Sequence, residues 1–349
     1  MRNLISTLTF VSFFLPNIFF SQNTWDTTRY RKYSDRFIVT GFVSTRRFSC
    51  EIDQTNTQAD SGKAALKYNA EANTITGLQF NYDKIALSFG WKSASPDVRT
   101  KGNTLYRDFS ISIGENKWIL DGSFRTYKGF YDENSANYMN DFKKDDPFVQ
   151  IPGMEIRQMR ARFRYFTNHR KFAYSAGYGY TCRQLKSAFT WILGGSVLNN
   201  RISTDSSFFH PLVRTWYGSD TNLKYIEATG ISFGGGLSIN IVIFKRLFMN
   251  MTFNAYLEPQ WRESRYAGNL SVSKMYVSTS ADGRFSMGYN GRNFFYFVNG
   301  MVDFNQMNTD KLLISSRFIS GAVNIGYRFK TKCPVFYSRF KETWIYKQL

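Results

Sequence analysis

The sequence predicts an all-β protein: a closed antiparallel transmembrane β-barrel, with 12 strands preferred over 14. Three observations carry this. The chain opens on a secretory-type leader, its strands are unusually long, and its charges fall on the strand face opposite the bulky apolar one. The chain has 349 residues and is rich in aromatics, with 34 Phe and 22 Tyr among them. So many rings argue against a disordered chain. A mean hydropathy of -0.37 argues against a bundle of membrane helices.

Arg2 is followed by an apolar stretch from Leu8 to Phe20, interrupted by Pro16 and ending at the small residue Ser21. That layout predicts a cleaved signal peptide over residues 1–21, too short in its apolar core to span a bilayer as a helix. Residues 22–35 then form a periplasmic N-terminal segment, 36–330 the barrel, and 331–349 a C-terminal tail or last strand. Cys50, Cys182 and Cys333 are too few and too widely spread for a disulfide scaffold. With two His in the chain, a Cys/His zinc site has little support, and no cofactor is expected.

Period-2 alternation dominates the rest. In Thr229–Ile243, the residues Ile231, Phe233, Leu237, Ile239, Ile241 and Ile243 share one face. Gly230, Ser232, Gly234, Gly236, Ser238 and Asn240 share the other. After a break at Phe244-Lys245-Arg246, alternation resumes from Leu247 to Leu257, giving a hairpin of two long strands. Similar segments begin near Phe37, Ile85, Phe109, Trp118, Met154, Phe172, Phe189, Phe285, Phe294 and Ile319. With the strand ending at Tyr82 there are thirteen candidates, one more or one fewer than a single-chain bacterial barrel should have.

Alternation cannot by itself tell inside from outside, but charges can. Arg160, Arg162 and Arg164 lie on one face of the strand Met154–Phe166, opposite Met159, Ala161, Phe163 and Tyr165. Asp108, Asp121, Arg125, Glu258 and Asp303 occupy equivalent faces elsewhere. Towards lipid these charges would be expensive; towards a lumen they can pair. The expected role of this network is to fill the lumen rather than to form an anion-attracting pore stripe. Short turns at Asp83-Lys84, Glu115–Lys117, Lys245-Arg246 and Gly291–Asn293 contrast with long loops such as Gly129–Gly153 and Asn200–Lys224. Simple strand alternation places Asn200–Lys224 on the short-turn side, unless the count is off near Cys182–Ser187.

The order of segments resembles a family of outer-membrane β-barrel proteins of the Bacteroidota known mainly as a domain of unknown function. The resemblance rests on the Ser21-Gln22 cleavage region and on Leu66–Ala70 leading to Ile75–Tyr82. It continues through Lys186-Ser187-Ala188 before a strand, Asp205-Ser206-Ser207, the Gly-rich strand Thr229–Ile243 and the turn Phe244–Phe248. It spans essentially the whole mature chain and implies an outer-membrane location, with no catalytic residues to carry over.

The residues offer little chemistry. A Ser/His hydrolase needs Ser and base within hydrogen-bond reach. His169 sits in a short-turn-side connection and His210 in an irregular loop. Asp145-Asp146, flanked by Lys143 and Lys144, reads as a solvated loop. Gly234-Gly235-Gly236 lies in a strand with no Lys-Ser/Thr after it, so it is not a phosphate loop. The chain is therefore expected not to be an enzyme. The formal charge of +19 falls to about +18 once the leader and its Arg2 are gone. The basic residues are dispersed, which points to lipopolysaccharide phosphates rather than nucleic acid as the counter-charge. Phe208, Phe209, Trp216 and Tyr217 form a candidate partner-binding loop. Two functions compete: an accessory or scaffold subunit of an envelope complex for secretion, surface-protein export or barrel assembly, and a narrow passive channel for small solutes, anions among them.

Overall fold

The computed structural model describes residues 25–54, 65–94, 97–143, 145–268, 270–343 and 346. The expected leader 1–21 and its cleavage point lie outside these. The described residues form fourteen strands: β1 Tyr30–Lys32, β2 Arg36–Gln54, β3 Leu66–Tyr82, β4 Ile85–Ala94, β5 Leu105–Gly114, β6 Trp118–Asp132, β7 Val149–Phe166, β8 Cys182–Gln184, β9 Ala188–Ser203, β10 Leu223–Ile243, β11 Leu247–Tyr266, β12 Ser271–Asn290, β13 Phe294–Gln306 and β14 Leu312–Lys330. Twelve of them pair antiparallel in chain order, each with its neighbours, from β2 to β7 and from β9 to β14. The ring is a closed barrel, joined where β14 pairs with β2 from Leu312↔Gln54 to Lys330↔Arg36. β1 and β8 form a separate two-stranded sheet.

Two parts of the sequence-based expectation need correction. The chain is not purely all-β, because the connections carry short helical turns and Val335–Glu342 is an α-helix. Phe172–Tyr180 is not a strand; Ser175–Tyr178 is a single helical turn inside the β7–β9 connection. Removing that segment from thirteen candidates restores an even ring and reverses the sidedness of everything up to it. The 204–222 connection thus belongs to the long-loop end, the end where β2 leaves off and β3 begins, β4 leaves off and β5 begins, and β6 leaves off and β7 begins. Short turns occupy the opposite end, apart from the 167–187 connection.

The walls show two polarity patterns along the same strands. From Ile231 to Ile243, β10 turns Ile231, Phe233, Leu237, Ile239, Ile241 and Ile243 outward, with Phe233 62% exposed. Its inward residues Ser232, Ser238 and Asn240 are buried. β11 matches it, with Met251, Phe253 and Leu257 outside and Asn250, Thr252, Asn254 and Glu258 inside. Twelve residue steps at about 3.3 Å, tilted by about 40°, give an apolar belt ~30 Å tall. Among the described residues no helix is long and apolar enough to cross a membrane.

Towards the long-loop end the sense inverts. Phe48, Cys50 and Ile52 of β2, Leu66, Tyr68 and Ala70 of β3, Met154 and Ile156 of β7, and Ile226 and Ala228 of β10 point inward and are buried together. The outward positions carry charges that pair across or along strands. Arg201 Nη2 meets Glu227 Oε1 at 3.1 Å, Arg265 Nε meets Glu263 Oε1 at 2.7 Å, and Lys274 Nζ meets Asp310 Oδ1 at 2.8 Å. This part of the barrel is built like a water-soluble one, with an apolar interior and a polar exterior.

Close backbone contact explains the glycine run in β10. A Cβ added at Gly236 would stand 1.8 Å from the Phe253 carbonyl oxygen, and one at Gly235 2.2 Å from that of Ile192. Neither neighbour can move without breaking the ladder, so these glycines serve strand packing.

Candidate functional site: the charged lumen and its two closures

Alternation places an unusual number of charges inside the apolar belt, where unpaired charge is costly. They are paired. β7 contributes Arg160, Arg162 and Arg164 at successive inward positions. Arg160 Nη2 lies 3.2 Å from Glu258 Oε1 of β11 and donates to Asn305 Oδ1 at 2.7 Å. Arg162 pairs with Asp282 of β12, whose other oxygen accepts from Asn254 Nδ2 at 2.6 Å. Arg164 pairs with Asp121 of β6, which also accepts from Ser112 Oγ at 2.6 Å. Across the lumen Arg125 reaches Asp303 at 3.1 Å; it also lies 3.8 Å from Asp108 on the neighbouring strand β5, which Arg46 contacts as well. Every candidate lumen residue read from the sequence thus lies in one network.

Sequence reasoning missed three members: Arg46, Asp282 and Arg284. Asp282 and Arg284 share an inward face with Ser278, Ser280 and Ser286. Small hydroxyl residues flanking two opposite charges at spacing two was the available signal. Arg46 lies on the inward face of β2 with Ser44 and Phe48, but the outward Arg47 beside it blurs the alternation of charge there.

A cavity of about 340 Å³ remains within this network, lined among others by Arg160, Arg162, Arg164, Arg284, Asp121 and Tyr174. Inserted segments pack into both ends beyond it. At the short-turn end the 167–187 connection folds into the barrel. Tyr180 stacks against Phe297 and Phe295, with ring centroids 4.0 and 4.8 Å away. Its irregular backbone finds partners on the wall. Arg328 donates to the Tyr180 and Gly291 carbonyls, both at 2.8 Å, and to Asn290 Oδ1 at 2.7 Å. Asn81 donates to the Gly179 carbonyl at 2.8 Å, and Asn290 to those of Ala176 and Cys182. Arg328 is fully buried yet fully engaged, which is how a wall can hold a non-helical plug without orphaned polar groups. The N-terminal segment locks the plug from outside through β1–β8 pairing and the 2.7 Å bond from Tyr33 N to the Thr181 carbonyl.

The long-loop end is sealed by the 204–222 connection. Phe208, Phe209, Val213 and Tyr217 are buried in the apolar cluster beneath the mouth. Phe209 and Tyr217 lie 4.4 Å apart between ring centroids, and Tyr217 donates to the Ile52 carbonyl at 3.2 Å. Of the candidate partner-binding aromatics, three are turned inward and Trp216 is exposed.

The remaining candidates are scattered. His169 lies at the short-turn end and His210 at the long-loop end, so they share no site. Burial holds both imidazoles below their usual pKa, with Arg214 adding to the effect at His210. Asp145 and Asp146 lie in the 133–148 loop. Cys50 is buried in the upper cluster, Cys182 in the plug, and Cys333 is exposed; none is paired. Among the described residues no group of His, Cys, Asp and Glu is placed to hold a metal ion.

A family model described as a domain of unknown function (DUF4421) matches residues 24–329, and the chain belongs to that family. No curated protein matches the sequence. Among solved structures, the outer membrane protease OmpT from Escherichia coli is similar at 7% identity, covering 86% of this chain and 98% of that one, with a TM-score of 0.38. The toluene transporter TodX of Pseudomonas putida is similar at 7% identity over 83% of this chain and 89% of that one, TM-score 0.30. The translocator domain of the autotransporter NalP from Neisseria meningitidis reaches 10% identity over 83% and 88%, TM-score 0.31. Likeness at this level bears neither on activity nor on partners, and none of these comparisons speaks to a Bacteroidota source.

Proposed function

We propose that this member of the DUF4421 family is a sealed outer-membrane barrel that serves, without enzymatic activity of its own, as an accessory or scaffold subunit of an envelope complex. The observation that carries the reading is the double closure of the lumen. A charged network fills its middle, a hydrogen-bonded plug occupies one end and an apolar cap the other. Eight strands leave an interior just wide enough for side chains, and 16–18 leave an aqueous channel. Here twelve strands are filled by charge pairs and inserted loops. The outer-membrane setting is supported by the belt of exposed apolar residues ~30 Å tall, which matches a bilayer better than water. Basic residues outside the belt, among them Arg157, Arg201 and Arg265, stand where lipopolysaccharide phosphates would meet them.

The second reading, a narrow channel for small anions, has the arginine-lined cavity in its favour and both closures against it. The scaffold reading is tested by extracting the protein from native membranes in mild detergent and weighing the particle. Stoichiometric co-purifying envelope proteins are expected. A lone chain of barrel mass would overturn the scaffold role and leave the channel reading.

A further inference from the structure

The lumen network is one negative charge short. Its arginines are Arg46, Arg125, Arg160, Arg162, Arg164 and Arg284; its carboxylates are Asp108, Asp121, Glu258, Asp282 and Asp303. Five of the arginines have a carboxylate partner. Arg284 has none within ion-pair distance among the described residues. Its carboxylate neighbours Asp121 and Asp282 are taken by Arg164 and Arg162. Its one side-chain hydrogen bond among the described residues runs from Nη1 to Tyr174 Oη, at 3.3 Å. Its Nε is buried and lacks a hydrogen-bond partner, as does that of Arg164.

Arg164 Nη1 donates to the same Tyr174 hydroxyl at 2.8 Å. Two guanidinium groups are therefore held within two hydrogen-bond lengths of each other, around one oxygen. All three side chains line the cavity of about 340 Å³, and so does Tyr178. Adjacent like charges inside a protein repel unless something negative lies between them. Paired forks of N–H donors suit an oxyanion, which accepts from several directions at once.

We infer that the cavity is a binding site for a small oxyanion of phosphate or sulfate size, held by Arg284 and oriented by Tyr174, with the fully buried Arg164 adding its charge from behind them. The tyrosine hydroxyl, which accepts from both arginines, keeps its own hydrogen for donation to the anion. Tyr174 comes from the inserted 167–187 plug, so the anion would bridge the plug to the wall strand β12. The cavity lining extends to Asp83 and Lys84 at the short-turn end. The site holds whether or not the barrel conducts, so its test is separate from that of the scaffold role.

The test is calorimetric titration of the purified full-length barrel in detergent with sodium phosphate, at fixed pH and ionic strength, with chloride as the balancing anion. Saturable binding of one phosphate per chain is expected. Arg284→Gln should weaken it about tenfold or more, since it removes a charged donor pair. Arg292→Gln, at an exposed position in the 291–293 turn, should leave it unchanged. Absence of saturable binding to the wild type, or equal binding by R284Q, would overturn the site. Should R284Q fail to fold, Arg284→Lys keeps the charge and loses the fork. Weaker binding by R284K would then support the site, and undiminished binding would overturn it.

Discussion

The belt region and the mouth region of this barrel are made by the same strands and obey opposite rules. On β10, Phe233 in the belt points out and Ser232 points in; nearer the mouth, Ile226 points in and Glu227 points out. Around the belt the interior is a salt-bridged network. Around the mouth it is an apolar cluster containing Phe48, Tyr68, Phe208 and Tyr217. The side-chain period stays at two throughout, and only the sense of the pattern changes. On the proposed outer-membrane reading, the difference marks a change of solvent along the barrel wall: a chain must turn its apolar residues to lipid in one zone and away from water in the next.

The comparison is broken most forcefully from inside the belt. Arg160→Met removes one half of a buried pair and leaves the fully buried Glu258 charged without its partner. A loss of about 3–5 kcal/mol is expected, read by urea unfolding of the barrel in detergent. A cost near that of a surface ion pair would mean water already fills this part of the lumen. Next in size is a paired test of the outer face. Leu237→Arg should cost about 2–4 kcal/mol in a bilayer, as an outward charge at the centre of the belt, whereas Thr229→Arg, outward on the same strand and nearer the mouth, should cost at most about 1 kcal/mol. Equal costs at the two positions would erase the boundary drawn between the zones.

Thiol labelling is the mildest probe. Burial and the nearby Glu115 carboxylate push the Cys182 thiol up to about 11. At neutral pH it is therefore almost wholly protonated, and maleimide should modify Cys333 alone in the folded barrel. The thiolate is the reactive form, so the intrinsic reactivity at Cys182 rises as pH climbs towards that value. All three cysteines should label once the protein is unfolded. Rapid labelling of Cys182 at neutral pH would show that the plug leaves the lumen.

The belt was the legible part of the sequence. Within it, bulky apolar and small polar residues alternate with high contrast, as from Ile231 to Ile243, and the inward charges stand out against the opposite face. The contrast fades at the mouth, so strand ends were read short: β11 runs on from Leu257 to Tyr266, and β2 from Phe48 to Gln54. There both faces carry large residues, and the period-2 signal loses its amplitude. The plug misled for the opposite reason. Phe172, Tyr174, Tyr178 and Tyr180 alternate with small residues as a wall strand would, yet the rings face the lumen and the backbone is held by Asn81, Asn290 and Arg328. Local pattern cannot distinguish a ring that faces lipid from one that fills a lumen, because both are apolar surroundings. The Arg162–Asp282 pair was invisible for a simpler reason: its two members are 120 residues apart, and ring topology brings them together.

The most direct measurement is single-channel conductance of the wild-type protein in a planar bilayer at 1 M KCl. The doubly closed lumen predicts about 0.1 nS or less, whereas steady openings on the order of 1 nS, as expected of a water-filled pore, would contradict it.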